Sequence, residues 1–365
     1  MQKGKGSKKI LLTGGHAATT ALATVEELIR RQGENNWEII WVGPRFAVEG
    51  KRFPSLESQV FAKMGIASHQ IIAGRLQRKF TLWTIPSLIK VPFGFLHAAF
   101  HILKLKPSVV VSFGGYAALP VVISAWLRRV PILIHEQTAS AGLANRLSAF
   151  FAKKICISRE ESRKFYSPKK TILTGNPVMT QITEIEPKTE IGKPPLIFVT
   201  SGSRGSVSIN DALIEILAHL LTKYKVIHLT GEHDFARFAG IKNKNYEVYS
   251  WVDPLKIDNI YRQADMVVAR AGANTVSEIM IAKRPALLIP IPWSYLDEQR
   301  KNAQNACDFG IARILDQENL TGKRLLAEIA ALFKNWDKMV ARVRQKDVFD
   351  TQASGRLVEQ ILTYL

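Results

Sequence analysis

Short apolar runs alternate with longer helix-period segments along most of the chain, and that rhythm restricts the fold more than any other feature of the sequence. Runs at 9–13, 38–42, 69–72, 108–112, 131–134, 154–157 and 170–173 read as strands, with helical patterns at 17–32, 55–64, 117–128 and 141–151. Strands buried on both faces and separated by helices belong to βα units and a parallel sheet. The rhythm breaks once, at TQITEIEPKTEIGKPP (residues 180–195), where three prolines and the lack of an apolar period predict a linker. A second series follows: strands at 196–200, 225–229, 246–249, 265–269 and 285–289, and helices at 208–221, 254–263, 274–282 and 297–307. The expected fold class is therefore α/β, with Rossmann-like domains at 1–179 and 196–350. Ligands are expected at the carboxyl ends of the strands.

The 365 residues are 47% hydrophobic and 22% charged, which supports two cores and excludes a disordered chain. Charge is unevenly placed. Residues 1–175 carry 26 Lys+Arg against nine Glu and no Asp, a net of +17 out of +19 for the whole chain. The first half should attract an anion: nucleic acid, a phosphorylated metabolite or an anionic membrane. Cys156 and Cys307 stand far apart without a CxxC, which argues against a disulfide framework or zinc site and for a reducing cytosol. Lys3, Lys5, Lys8 and Lys9 before ILLTGGHAATTALA imitate a signal peptide, but Gly14, Gly15 and His16 interrupt the apolar stretch. No window reaches the ~18–20 apolar residues of a membrane span.

Glycines lie between strand and helix at Thr13–His16 (TGGH), Phe113–Tyr116 (FGGY), Ser201–Gly205 (SGSRG) and Arg270–Ala273 (RAGA). Such turns let backbone amides and a helix N-terminus meet an anion, so four in one chain favour phosphate chemistry. There is no GxGxxG, no GxxxxGK[ST] and no Asp-x-Asp. A nicotinamide dinucleotide, a P-loop and a cation-bound diphosphate are thereby disfavoured, leaving amides, hydroxyls and helix dipoles to neutralise phosphate. In RAGANTVSE, amides at the helix start would face phosphate and Glu278 would accept from ribose hydroxyls. The structural alternative is a helix capped by Asn274 or Thr275 with a solvated glutamate. In DEQRKNA, Gln299 either reads sugar hydroxyls or lies on the surface.

Taken in order, TGGH, GGY, HEQ-x5-GLANR, GNPV, GS-x-G, RAGANTVSE and DEQRKNA resemble the signature series of the MurG family, from about residue 9 to 315. The resemblance implies a GT-B fold, two Rossmann-like domains with parallel sheets facing a central cleft, and a last helix at about 351–365 returning to the first. It implies an inverting, metal-independent transfer of N-acetylglucosamine from its UDP-sugar to the C4 hydroxyl of lipid I. No cofactor is expected. Val252 would pair with uracil through its backbone, Glu278 would hold the ribose, and Ser203 with Ala273, Asn274, Thr275, Val276 and Ser277 would hold the diphosphate. Gln299 and position 138 would meet the donor sugar. Thr13, Gly14 and Gly15 would approach the phosphates, while Tyr116 and Asn145 shape the acceptor side.

For the base that takes the acceptor proton, His16 and Glu136 stay open; His16 alternatively orients a phosphate, and Glu136 alternatively supports a cationic sugar. The sequence departs from the family pattern at Thr138, where Asn is usual, at Met179 for Arg, at Arg204 for Gln, and at Ala17–Thr20. The apolar, Lys-flanked run 80–106 predicts a peripheral site on the cytoplasmic face of an anionic membrane, with one face of the helix in the core and the 83–93 end against lipid; the alternative, for residues 95–103 above all, is a helix buried on the sheet. Nucleic acid is not an expected partner. The rival readings are a transferase for another lipid acceptor such as diacylglycerol, and a non-catalytic nucleotide or RNA binder.

Overall fold

A computed structural model describes residues 7–15, 18–33, 37–44, 56–72, 74, 84–202 and 205–365. They form two compact units: Met1–Met179 with Gln352–Leu365, and Thr180–Thr351. The first unit runs β1 (Lys8–Thr13), α1 (Ala18–Arg30), β2 (Trp37–Gly43), α2 (Leu56–Lys63), β3 (Ala67–Gln70), α3 (Thr84–Leu105), β4 (Val109–Ser112), α4 (Ala118–Leu127), β5 (Ile132–Glu136), α5 (Leu143–Ser148), β6 (Lys154–Ile157) and β7 (Thr171–Leu173). The second runs α6 (Thr180–Thr183), β8 (Leu196–Thr200), α7 (Val207–Leu220), β9 (Lys225–Leu229), α8 (Phe235–Phe238), β10 (Tyr246–Tyr249), α9 (Ile257–Gln263), β11 (Met266–Ala269), α10 (Ala273–Ala282), β12 (Ala286–Leu288), α11 (Glu298–Phe309), β13 (Ala312–Ile314), α12 (Gly322–Lys334) and α13 (Trp336–Val343). The chain then returns to the first unit as α14 (Ala353–Leu362).

Both sheets are parallel, in the orders β3-β2-β1-β4-β5-β6-β7 and β10-β9-β8-β11-β12-β13. Runs such as Val109–Ser112 and Met266–Ala269 are buried throughout, which is why they read as continuous apolar segments rather than alternating ones. On one face of the first sheet, Ile102, Leu105, Val121, Val122 and Ala125 pack on Leu11, Ile40, Val110 and Ile134. In the second unit Leu213, Ile216, Leu217, Leu325 and Ile329 cover Ile197, Val199, Val268 and Leu287. Each sheet reverses its winding once: between β1 and β4, and between β8 and β11. The crevice beyond the strand ends at such a reversal is where open α/β sheets bind ligands, and all four glycine turns lie there.

Residues 180–195 are not an extended linker in the second unit. Ile182 and Ile185 are buried, Gln181 donates to Pro254 O, and Lys188 and Gly192 N both bond Asp265. The prolines mark a strap with side chains to bury, a pattern too short to show a period. α14 packs on α1 through buried Leu357, Val358 and Ile361, and Arg31 bridges to Glu359. One face of α3 lies in the core, as expected. Phe93, Leu96, Phe100 and Leu103 are exposed, while Ala98, Ile102 and Leu105 join the core, a spacing of three to four along one helix. The side chains of the 83–89 end fall outside the described residues. Among the described residues no helix is long and apolar enough to cross a membrane.

Candidate functional site

In the first unit, the turns after β1 and β4 interlock. Gly15 N donates to Gly114 O at 2.9 Å, and Phe113 N donates to Thr13 O at 2.8 Å. Gly115, at φ +89°, has no room for a side chain, because a Cβ there would lie 2.8 Å from Gly15 N. Asn145 is buried against Gly114 and donates through Nδ2 to His135 O and Glu136 Oε2. Its Oδ1, like Thr13 Oγ1, is buried without a partner among the described residues. The Thr13 hydroxyl can donate or accept and the Asn145 oxygen accepts, so both can still bond a group brought to the two turns. Tyr116 is half-buried and its ring lies beside Gly15. His16 lies outside the described residues.

Glu136 is 2% exposed, and both carboxylate oxygens are occupied. Oε1 accepts from Thr138 N (3.1 Å) and Thr138 Oγ1 (2.9 Å), and Oε2 from Gly142 N (3.0 Å), Asn145 Nδ2 (2.9 Å) and Tyr166 OH (2.9 Å). Burial, reinforced by Glu136, pushes the Tyr166 phenol well above its usual range and keeps it a donor. This carboxylate ties down the 137–142 loop, with no lone pair turned toward solvent for a substrate proton. This occupancy weighs against Glu136 as the base. Thr138 is buried with its hydroxyl on Glu136 and within reach of Ser140 O, so its side chain points into the loop. His135 is buried between Gly175 O and Ser158 Oγ.

In the second unit, β8 leads into a turn that reaches Gly205, whose φ is +73° and where a Cβ would stand 2.0 Å from Thr230 O. Ser206 then caps α7 by accepting from Ile209 N. Ser203 lies outside the described residues. α10 begins at Gly272 in extended conformation, so neither Asn274 nor Thr275 is its cap. Its first intrahelical bond is Val276 N to Gly272 O, which leaves the amides of 273–275 at the positive end of the helix. Val276 and Ser277 are buried, and Ser277 Oγ bonds Asp350 Oδ2 (2.7 Å) and Ala273 O. Those two side chains hold the helix in place, so any part of residues 276 and 277 in phosphate binding falls to the backbone. Ala273, Asn274 and Thr275 remain at the helix mouth.

Glu278 is half-buried and accepts from Tyr261 OH at 3.0 Å, so it is not a solvated glutamate. Burial raises its carboxyl to about 7, the hydrogen bond from Tyr261 opposing. Val252 sits half-buried on the loop after β10, its backbone N and O carrying no hydrogen bond among the described residues. Gln299 accepts through Oε1 from Ile291 N (3.1 Å), which fastens the 290–298 turn and leaves its amide nitrogen as a donor. In that turn Leu296 and Asp297 adopt φ of 50° and 54°. Arg270, which the sequence reading gave no role, crosses the β8–β11 reversal and bonds Ser206, Ser208, Ile289 O and Gln317. A guanidinium set directly behind a wholly apolar strand was the signal available for it.

Two family models match: the glycosyltransferase family 28 N-terminal domain over residues 13–157 and the C-terminal domain over 196–357. A Bacillus cereus protein named UDP-N-acetylglucosamine--N-acetylmuramyl-(pentapeptide) pyrophosphoryl-undecaprenol N-acetylglucosamine transferase 2 is 33% identical over 339 residues, 90% of this chain and 92% of that protein. A Clostridium tetani transferase of the same description is 30% identical over 346 residues, 92% of this chain and 93% of its own. Among solved structures, Acinetobacter baumannii MurG matches with a TM-score of 0.68 at 25% identity, covering 98% of this chain and 99% of that one. The glycotransferase of kitacinnamycin shares the fold at 15% identity, with a TM-score of 0.69 over 98% of this chain and 99% of its own. Two parallel Rossmann-like units, glycine turns at both sheet reversals and this span of similarity place the chain in glycosyltransferase family 28, within the MurG family.

Proposed function

We propose that this enzyme transfers N-acetylglucosamine from UDP-N-acetylglucosamine to the C4 hydroxyl of lipid I, forming lipid II of peptidoglycan. The observation that carries the reading is 33% identity to a transferase of that name over 90% of the chain. In the transfer the C4 oxygen bonds to the anomeric carbon, the bond to the β-phosphate oxygen breaks with its electron pair leaving on UDP, and the hydroxyl proton passes to a base. With Glu136 saturated, His16 is the residue proposed for that base. The second unit supplies the donor groups: Val252 for the uracil, Glu278 for the ribose hydroxyls, the mouth of α10 for the diphosphate and Gln299 for the sugar. These groups, with the absence of an Asp-x-Asp pair, support transfer without a metal ion. Thr13, Gly14, Gly15, Tyr116 and Asn145 support an acceptor site at the first reversal.

The acceptor is lipid-linked, and the first unit has a surface suited to a membrane. α3, α4 and α5 are neighbours, with Phe93, Leu96, Phe100, Leu103, Trp126, Leu127 and Phe150 exposed. Lys104, Lys106, Arg128, Arg129 and Lys153 are exposed in or next to the same segments, and Lys104 lies over the Phe100 ring. Exposed apolar side chains on neighbouring elements that also carry exposed cations fit peripheral attachment to an anionic leaflet. The test is to incubate the purified protein with labelled UDP-N-acetylglucosamine and lipid I in EDTA, beside a reaction with UDP-glucose and diacylglycerol. Lipid II in the first reaction alone is expected; product only in the second, or a strict need for metal, overturns the reading.

A further inference from the structure

Arg270 is 8% exposed, and among the described residues every partner of its guanidinium is neutral. Nε and Nη2 donate to Ser206 Oγ (3.1 and 2.8 Å), Nη2 to Ser208 Oγ (2.6 Å) and Gln317 Oε1 (2.5 Å), and Nη1 to Ile289 O (2.9 Å). Among the described residues no carboxylate lies within ion-pair distance, and Asp316, next to Gln317, is paired with Arg300. Burial alone draws the guanidinium down to about 10, so it stays charged at neutral pH. Burying a cation without a counter-ion is costly, and a neutral residue of similar size could fill the space. Its place is equally specific. It lies at the β8–β11 reversal, two residues before the glycine that starts α10 and bonded to the residue that caps α7, where two positive helix ends add to its own charge.

Resting on the donor reading above, we infer that Arg270 is a positioning residue for the nucleotide diphosphate. Its planar fork fixes the cap of α7 and the end of β12 across the crevice, and its uncancelled charge makes that crevice favour the more negative ligand. During transfer the departing diphosphate gains one negative charge, so the same potential lowers the barrier as well as tightening binding.

Calorimetric titration of uridine, UMP and UDP tests this, because the three share a base and ribose and differ in charge. Arg270→Gln should weaken UDP about 10- to 100-fold and leave uridine within about twofold, with kcat reduced. Gln317→Glu places a carboxylate on Nη2, preserving the hydrogen bond while cancelling the charge. It should weaken UDP but not uridine, with no loss of thermal stability. Arg270→Lys should keep part of the preference for UDP over uridine. A clamp without electrostatic function predicts instead that Gln317→Glu is silent and that Arg270→Gln weakens all three ligands alike; either result overturns the inference. Should Arg270→Gln fail to fold, Gln317→Glu and Arg270→Lys decide the matter. Wild-type protein that binds neither uridine nor UDP overturns the donor reading, and this inference falls with it.

Discussion

A carboxylate that serves as a base must exchange its solvent hydrogen bonds for one substrate proton, and Glu136 has none to exchange. Five donors from Thr138, Gly142, Asn145 and Tyr166 surround it, so Glu136→Gln turns an amide NH2 against one of those donor groups. We expect it to cost about 2–3 kcal/mol of stability, and Tyr166→Phe to lower the melting temperature in the same direction. A Glu136→Gln protein with an unchanged melting temperature and no turnover would restore Glu136 as base. Glu278 presents the opposite case. Its folded pKa, near 7, lies above the ordinary carboxylate value, so its contribution to stability is full at acid pH and is lost as pH rises through 7. Glu278→Gln should therefore raise the melting temperature more at pH 8 than at pH 5. If the ionised form holds the ribose, the wild-type KM for UDP-N-acetylglucosamine rises below pH 7, and in Glu278→Gln KM is higher and its pH dependence flat. The residue types at these positions were legible in the sequence; which carboxylate was sealed and which stood half-open was not, because Tyr166 and Tyr261 come from distant segments.

Among the elements, the strands were the most legible, since runs such as VVVS and MVVA are buried on both faces and carry little else. β13 was not read, because its three residues contain Arg313 and show no apolar run. The core face expected of α3 is present, and its exposed residues recur every three or four positions beside it. Composition reports how much apolar surface a helix has, and periodicity reports where it points. The face therefore predicts the membrane contact. Phe100→Ser with Leu103→Ser should reduce binding to anionic vesicles about 30-fold or more while leaving turnover of a water-soluble acceptor intact. Equal losses on both acceptors would mean that this face serves the fold or the site instead.

For the molecule as a whole, the surplus of +17 on residues 1–175 belongs to the unit with the exposed apolar face, and the rest of the chain is near neutral. Attachment driven by that charge should be screened: raising salt from about 0.05 to 0.5 M should release the protein from anionic vesicles, leave weak binding to zwitterionic ones unchanged and alter uridine binding little. Salt-independent attachment would assign docking to the apolar face alone. The return of α14 bears on synthesis. Every strand of the first sheet has been made by Leu173, yet the helix that covers α1 is made only after the whole second unit, about 10–40 s later at ordinary elongation rates. Throughout that interval the first unit carries an uncovered apolar helix face while the second completes its own core. The earlier-made half is thus the later to mature, and the one more dependent on chaperones when the chain is produced in quantity.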